Sequence, residues 1–585
     1  MADCPINSAS ETIADFIYRN GSQQQFPGNS EDILCMDFVS TDFSIIYTPL
    51  DTVEPISLSK FTYYSIPGLY TLLDSSSMDA SGILATHASP ALSNQGRGVI
   101  IGIIDTGIDY TNPLFRNQDG TTRILSIWDQ SLPEDKSLLP AGVPNRYNAS
   151  GASYGTEYTQ EQINEALESD NPFAVVPSTD TNGHGTFLAG IAAGGILPNQ
   201  DFTGAAPECE LVIVKLKPAK QYLRDFYLIS NDADAYQEND IMMGIKYLRV
   251  EAYSQRKPLV ILLGIGSNLG SHEGTSPLNV MIQDISRYLG MATVIAAGNE
   301  TGRGHHYMGS VPIGEESVEV EIRVGNAESQ RGFVVELWAD TADTYSVGFV
   351  SPSGESIGRI PIIGRNETSI PFLLEPTVIT VNYQLIETGA GKQLVFIRFE
   401  APTNGIWRIR VYNTQYLTGQ FNMWLPAHTL ISDETVFLTP SPYTTITLPG
   451  DSPSPITVGA YNHLNNSIYI HSGRGYTIGG LIKPDLAAPG VNVSGPSIGQ
   501  RNQDSIPMTT RTGTSVAAAH VAGAVANLLS WGIIEGHNIA MSEATVKAFL
   551  IRGAKRNPAL SYPNREWGYG ALNLYETFLR LREIR

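Results

Sequence analysis

Three side chains, Asp105, His184 and Ser515, each stand in a frame of small residues that suits chemistry. Asp105 follows the apolar run Val99-Ile-Ile-Gly-Ile-Ile104, in Ile104-Asp-Thr-Gly-Ile-Asp109. In sheets built from such buried strands, reacting groups collect at the carboxyl ends. Two aspartates could share a proton and activate water, but no second Asp-Thr-Gly or Asp-Ser-Gly occurs; taken alone, Asp105 could simply cap a turn. His184 lies in Asn182-Gly-His-Gly-Thr-Phe-Leu-Ala-Gly-Ile-Ala-Ala-Gly194, where the flanking glycines let another backbone approach the imidazole. Ser515 lies in Thr512-Gly-Thr-Ser-Val-Ala-Ala-Ala-His520. A helix opening there gives the hydroxyl free backbone N–H groups and the positive end of the helix dipole, which suit an oxyanion as well as an ordinary cap. Asn299, in Ala296-Ala-Gly-Asn-Glu300, offers an amide as a second oxyanion donor.

The elements that must position these residues follow from hydrophobic patterning. Continuous apolar runs at 99–104, 211–214, 259–263 and 293–297 read as strands buried on both faces, the texture of parallel sheets covered by helices. Helical patterns at 241–248 and 278–289 alternate with them, which predicts a doubly wound α/β domain. From about 312 to 437 the texture changes. Val318-Glu-Val-Glu-Ile-Arg-Val324 and Trp407-Arg-Ile-Arg-Val411 alternate apolar with polar, the period of half-buried antiparallel strands, and a β-sandwich of the jelly-roll kind is expected. The α/β texture returns with Ile456-Thr-Val-Gly-Ala460, so the β domain is an insertion. Residues 1–95 form a first unit. Phe43–Tyr47 reads as a strand and Leu69–Leu73 as a short helix, and the unit ends in the linker Ser93-Asn-Gln-Gly-Arg-Gly98. Four segments result: 1–95, 96–311, 312–437 and 438–585.

Composition narrows the partners. Of 585 residues, 42% are hydrophobic and 16% charged, which excludes a disordered chain. Lys and Arg number 37 against 58 Asp and Glu, a net charge of −21. So acidic a surface repels phosphate backbones and anionic lipids, which argues against nucleic acid and membrane partners. No apolar run approaches the length of a membrane span. The start, Met-Ala-Asp-Cys-Pro-Ile-Asn, lacks the basic and apolar stretches of a secretory signal, which predicts synthesis in the cytoplasm. Three widely spaced cysteines read as neither a disulfide framework nor a zinc cluster, and a reduced chain is expected. The pair His305-His306 reads as an exposed loop pair rather than a metal site. No Asp-x-Asp-x-Asp-Gly calcium loop is present, so neither metal nor cofactor is expected.

Taken together, Asp105, His184, Asn299 and Ser515 resemble the motifs of the subtilisin family (subtilases, S8) of serine proteases. Further matches are Ser472-Gly-Arg-Gly475, Lys483-Pro-Asp-Leu-Ala-Ala-Pro-Gly490 and Trp567-Gly-Tyr-Gly570. The resemblance implies a peptide-bond hydrolase with Ser515 as nucleophile, His184 as general base and then acid, and Asp105 orienting the imidazole. It also implies an oxyanion hole of Asn299 and the Ser515 N–H, and substrate-binding backbone at Gly264, Ile265, Gly266, Ala297 and Gly298. Gly264 stands where many relatives have serine, Phe187-Leu188 where they often have His-Val, Val516 where methionine is usual, and Ala519 in place of a proline. Many subtilases bind calcium, for which no motif stands here.

Within subtilases the chain resembles the clostridial Csp germination proteases, which share an N-terminal prodomain, the missing secretion signal and an inserted jelly roll. This implies a protein substrate, the zymogen of a spore-cortex-lytic hydrolase, and association with the spore. It also implies that residues 1–95 act as a prodomain whose tail lies in the active site and which stays bound as an inhibitor. Self-cleavage is expected between Gln95 and Gly96. Some members of that group lack triad residues; this chain retains all three. Two competing readings are a regulatory pseudoprotease whose cleft is blocked by its prodomain, and a protein dominated by a binding module in the insertion.

Overall fold

The computed structural model describes residues 10–20, 33–72, 79–89, 92, 95–133, 154–196, 202–363, 367–499 and 506–582. The first unit pairs β1 (Ile13–Arg19), β2 (Cys35–Phe38) and β3 (Phe43–Pro49) into an antiparallel sheet with β3 in the middle. A further strand, β4 (Leu69–Leu72), leaves that sheet and pairs elsewhere. At Leu69–Leu72 strand replaces the expected helix, whose last residue, Leu73, lies outside the described residues, because this segment finds backbone partners in the catalytic domain on both edges, which outweighs local propensity.

The central sheet runs through β5 (Ile100–Asp105), β6 (Ile124–Asp129), β7 (Thr156–Thr159) and β8 (Glu210–Lys215). A two-residue strand, β9 (Tyr236–Gln237), lies apart from it. Next come β10 (Leu259–Leu263), the short β11 (Ile265–Gly266), again outside the sheet, and β12 (Met291–Ala296). Spatial order is Ile456–Asn462, β12, β10, β5, β8, β6, β7, with Leu486–Pro489 also paired to Ile456–Asn462. Pairings are parallel except at β7 and at the short strand Ser467–Ile468. Alternate residues of β5 explain its unbroken apolar run: Ile101 and Ile103 enter the core on one face, Ile100 and Ile104 that on the other. Among the described residues one helical stretch, Thr514–Ile534, is long and apolar enough to cross a membrane; 83% of its apolar 18-residue window is buried inside the protein.

The inserted domain consists of two antiparallel sheets spanning His306–Ser310 to Val436–Phe437, so its first strand begins slightly before the expected boundary. Their facing side chains form a separate core, in which Phe333 stacks on Phe399 and Trp407 meets Phe399 edge-on. A fourth core is shared by three parts: Phe16, Phe61 and Tyr63 of the first unit, Tyr222 and Phe226 of the catalytic domain, and Trp338, Phe396 and Trp424 of the insertion.

Two expectations about side chains need correction. Cys35 is disulfide-bonded, which differs from the reduced chain expected. Cys209 is free and buried, and burial pushes its thiol up to about 12. His305 and His306 are buried rather than exposed: His305 Nδ1 meets Glu300, and His306 lies between Asn422 and the Tyr443 carbonyl.

Candidate active site

Asp105 is the last residue of β5 and fully buried. Its Oδ1 accepts hydrogen bonds from the Thr106 N–H at 2.8 Å and from His184 Nδ1 at 2.8 Å. His184 opens the helix His184–Ala193 after Gly183, whose φ of 82° lies in the left-handed region glycine favours. Asp180 fixes this entry: its carboxylate accepts from the N–H groups of Asn182, Gly183 and Thr186 and from the Thr186 hydroxyl. Gly185 has no room for a Cβ, which would stand 2.2 Å from the Gly107 carbonyl oxygen. The Asp-Thr-Gly and His-Gly-Thr segments therefore meet backbone to backbone, and the Gly185 N–H donates to the Thr106 hydroxyl.

Ser515 is the second residue of the helix Thr514–Leu529, whose side chains are all buried. A Cβ at Gly523 would stand 2.3 Å from Ala205 Cβ and 2.7 Å from the Ala192 carbonyl oxygen. Small residues thus let this helix close on the one that carries His184, and Ser515 Oγ comes to 3.2 Å from His184 Nε2. Since Asp105 binds Nδ1, the proton sits there and Nε2 is left as the acceptor facing the hydroxyl.

Asn299 is placed by its amide oxygen. Oδ1 accepts from the Thr514 N–H at 3.1 Å and the Thr514 hydroxyl at 3.2 Å, while the Gly298 N–H donates to that hydroxyl at 3.0 Å. With the oxygen engaged, the NH₂ end remains as donor beside the Ser515 turn. Next to it, Glu300 is buried. Burial opposes its charge, yet hydrogen bonds from His305 and His428 hold its carboxyl below the usual carboxylate range.

Of the residues expected from sequence to bind substrate, Gly264 borders His184 and Ser515, while Gly266 and Gly298 meet at Thr447; together they mark the candidate cleft. The backbone of β11 pairs antiparallel with β4, Ile265 opposite Leu72 and Gly266 opposite Thr71. On its other edge β4 pairs with β9, Leu69 opposite Gln237 and Tyr70 opposite Tyr236. The chain's own segment 69–72 therefore forms the middle strand between two catalytic-domain edges. A Cβ on Gly264 would stand 3.2 Å from both His184 Cε1 and Ser515 Cβ, and 2.5 Å from Leu188 Cδ1. The glycine at 264 and the leucine at 188, separate departures in the sequence, fit each other in space. The Ala297 carbonyl accepts from the Thr447 N–H, and Thr447 fills the gap between Gly266 and Gly298, whose Cβ positions would each lie 2.5 Å from its Oγ1.

Gln95 and Gly96 are not in this cleft. The Gln95 carbonyl accepts from the Glu208 N–H, and Gly96 packs on Ala206 and Cys209, just before β8. That is the amino end of the sheet, about 17 Å along β5 from Asp105 at ~3.3 Å per residue. Ile83 packs in the main core and His87 Nε2 lies 3.0 Å from the Ala205 carbonyl oxygen, so the described residues after 78 already belong to the catalytic domain.

Sequence reasoning did not reach Asp180, Thr447 or the role of Leu69–Leu72. Asp180 stands four residues before His184 and could have been read as a loop-fixing carboxylate. Thr447 lies beyond the insertion and carries no local signal. Among the described residues no group of three His, Cys, Asp or Glu side chains is arranged to hold a metal.

An aspartate, a histidine and a serine hydrogen-bonded in that order at the carboxyl end of a parallel α/β sheet have the arrangement of a serine peptidase site. The model described as "Subtilase family" matches residues 96–353 and 439–570, more than half of the chain. The chain belongs to the subtilase family of serine peptidases. Among solved structures it is similar to the CspB protease of Clostridium perfringens, with 32% identity, 87% of this chain and 97% of that one covered, and a TM-score of 0.74. Curated relatives include the subtilisin-like protease SBT3.10 of Arabidopsis thaliana, 30% identical over 23% of this chain and 18% of its own length. The PII-type proteinase of Lacticaseibacillus paracasei is 24% identical over 45% of this chain and 12% of its own. The matches thus span under a fifth of the length of each of these two.

Proposed function

We propose that this chain is a serine endopeptidase made as a precursor, which cuts itself just after β4 and then performs limited proteolysis of a protein zymogen. The reading rests on one observation: Thr71 and Leu72 of β4 pair antiparallel with β11, the strand whose preceding residue, Gly264, borders Ser515 and His184.

In the reaction, His184 Nε2 takes the proton of Ser515 as Oγ bonds to the substrate carbonyl carbon. Asp105 holds the imidazole in the tautomer this needs and stabilises the imidazolium. The negative oxygen of the tetrahedral intermediate is stabilised by the Asn299 NH₂ and the Ser515 N–H. His184 returns the proton to the leaving amine, which frees the first product and leaves an acyl-enzyme. Water, deprotonated by His184, then attacks that ester and restores the serine.

The register supports self-cleavage in the segment 73–78, which lies outside the described residues, in place of the Gln95–Gly96 bond expected from sequence. The prodomain in this reading ends near Leu72 and stays bound as an inhibitor until a protein substrate displaces it. Resemblance to the Csp group supports the zymogen of a spore-cortex-lytic hydrolase as substrate, and germination as the setting. Incubating the self-processed chain with such a zymogen tests this: the wild type should shorten it and Ser515→Ala should not. A zymogen left intact by an enzyme that has processed itself would remove the germination role. The occupied cleft also favours a second reading, a scaffold held shut by its prodomain, which predicts no turnover of any added substrate.

A further inference from the structure

Glu336 sits in the insertion, on the strand Gly332–Ala339, and is fully buried. Among the described residues it has no cationic partner. A buried carboxylate without a cation is costly unless donors surround it, and burial pushes this one up to about 7. Three donors from three parts of the protein converge on it: Tyr63 Oη of the first unit at 2.6 Å, the Gly270 N–H of the catalytic domain at 2.8 Å, and Trp338 Nε1 of its own sheet at 2.9 Å. The Tyr63 ring is held edge-on to Trp338 and tilted against Phe396. Aromatic walls with one buried acceptor at the bottom select a tyrosine: phenylalanine would leave the carboxylate short of a donor, and an aliphatic alcohol would leave the walls unfilled.

The spacing gives this site a role. Tyr63 precedes Leu72, the last residue paired in the cleft, by nine positions, and Gly270 follows the cleft residue Gly266 by four. Glu336 thus ties the upstream part of the bound segment to the loop that leaves the cleft wall. We propose that the inserted β domain carries a recognition site for a tyrosine upstream of the scissile bond, with Glu336 as its acceptor, used first by Tyr63 of the prodomain and then by protein substrates. The enzyme thereby chooses chains by a feature outside the cleft as well as by the residues within it. This deepens the protease reading, since it takes Leu69–Leu72 to occupy the substrate's place.

Two measurements test it. The first needs no activity: hydrogen–deuterium exchange of the uncut Ser515→Ala chain, alone and with Tyr63→Phe, Glu336→Gln or both. Each single change should speed exchange at the amides of Leu69–Leu72 about tenfold or more while the central sheet stays protected. The double change should be no faster than the faster single, because the two residues act as one pair. Unchanged exchange at Leu69–Leu72 in Tyr63→Phe would overturn the proposal. The second measurement uses the self-processed wild type and a reporter protein carrying residues 57–80 of this chain. Tyr63→Phe in the reporter should lower kcat/KM about tenfold with kcat preserved, and the difference should vanish with a Glu336→Gln enzyme. Equal cleavage of the two reporters would equally overturn it. Absence of self-cleavage would count against the protease reading, while the exchange measurement decides the Glu336 site on its own.

Discussion

Leu72 stands opposite Ile265 in an antiparallel ladder, one residue away from the glycine that borders both Ser515 and His184. In the proposed function a segment in that position stands where a substrate strand would lie. The mature amino terminus should therefore fall within residues 73–78, and Edman sequencing of the large fragment reads it directly. Gln95→Ala should be processed at the wild-type rate, since Gln95 lies at the far end of the sheet. Slowed processing in that variant, or a terminus at Gly96, would show that the register has been misread.

Asn299→Ala should slow self-cleavage by about 10²–10³, the loss seen when subtilisin gives up one oxyanion donor. The rate, followed by intact mass over time, should fall without a matching drop in prodomain binding, because the amide acts on the transition state. A fall of less than tenfold would mean that the Asn299 NH₂ does not face the oxyanion.

Gly264→Ser puts a Cβ into the side chain of Leu188 and against the histidine–serine pair. Displacing His184 by a fraction of an ångström should cost about 10- to 100-fold in self-cleavage, and adding Leu188→Val should recover most of it. Wild-type rates in Gly264→Ser alone would show that Leu188 yields freely.

Sequence patterning singled out the residues that the structure brings together at the candidate site. Asp105, His184, Asn299 and Ser515 were legible because each needs a local frame: a strand end, a glycine-flanked helix start, a turn after a strand. The insertion was legible from its change of period. Leu69–Leu72 was not, since its strand exists only by pairing with β11 and β9, and its own residues suit a short helix as well. Glu336 reads as an ordinary polar position in an alternating strand until Tyr63, Gly270 and Trp338 converge on it. The burial of His305 and His306 likewise depends on Glu300 and on strands far along the chain.

Glu300 should make stability depend on pH. Its folded carboxyl titrates below the ordinary carboxylate value of about 4.3. Its contribution is therefore complete above that value and lost as pH falls through the folded pKa. Glu300→Gln should lower Tm at pH 7, and the deficit should shrink progressively below about pH 4. Thermal unfolding from pH 3 to 7 measures it. A deficit that stays constant across the range would mean that the charge of Glu300 contributes nothing.

The central claim, that Ser515 cuts the chain that lies in its own cleft, is tested most directly by intact mass of the purified wild type beside Ser515→Ala. The account predicts two fragments in the wild type, split within residues 73–78, and a single full-length species in the variant. Two full-length species, or the same split in both, would contradict it.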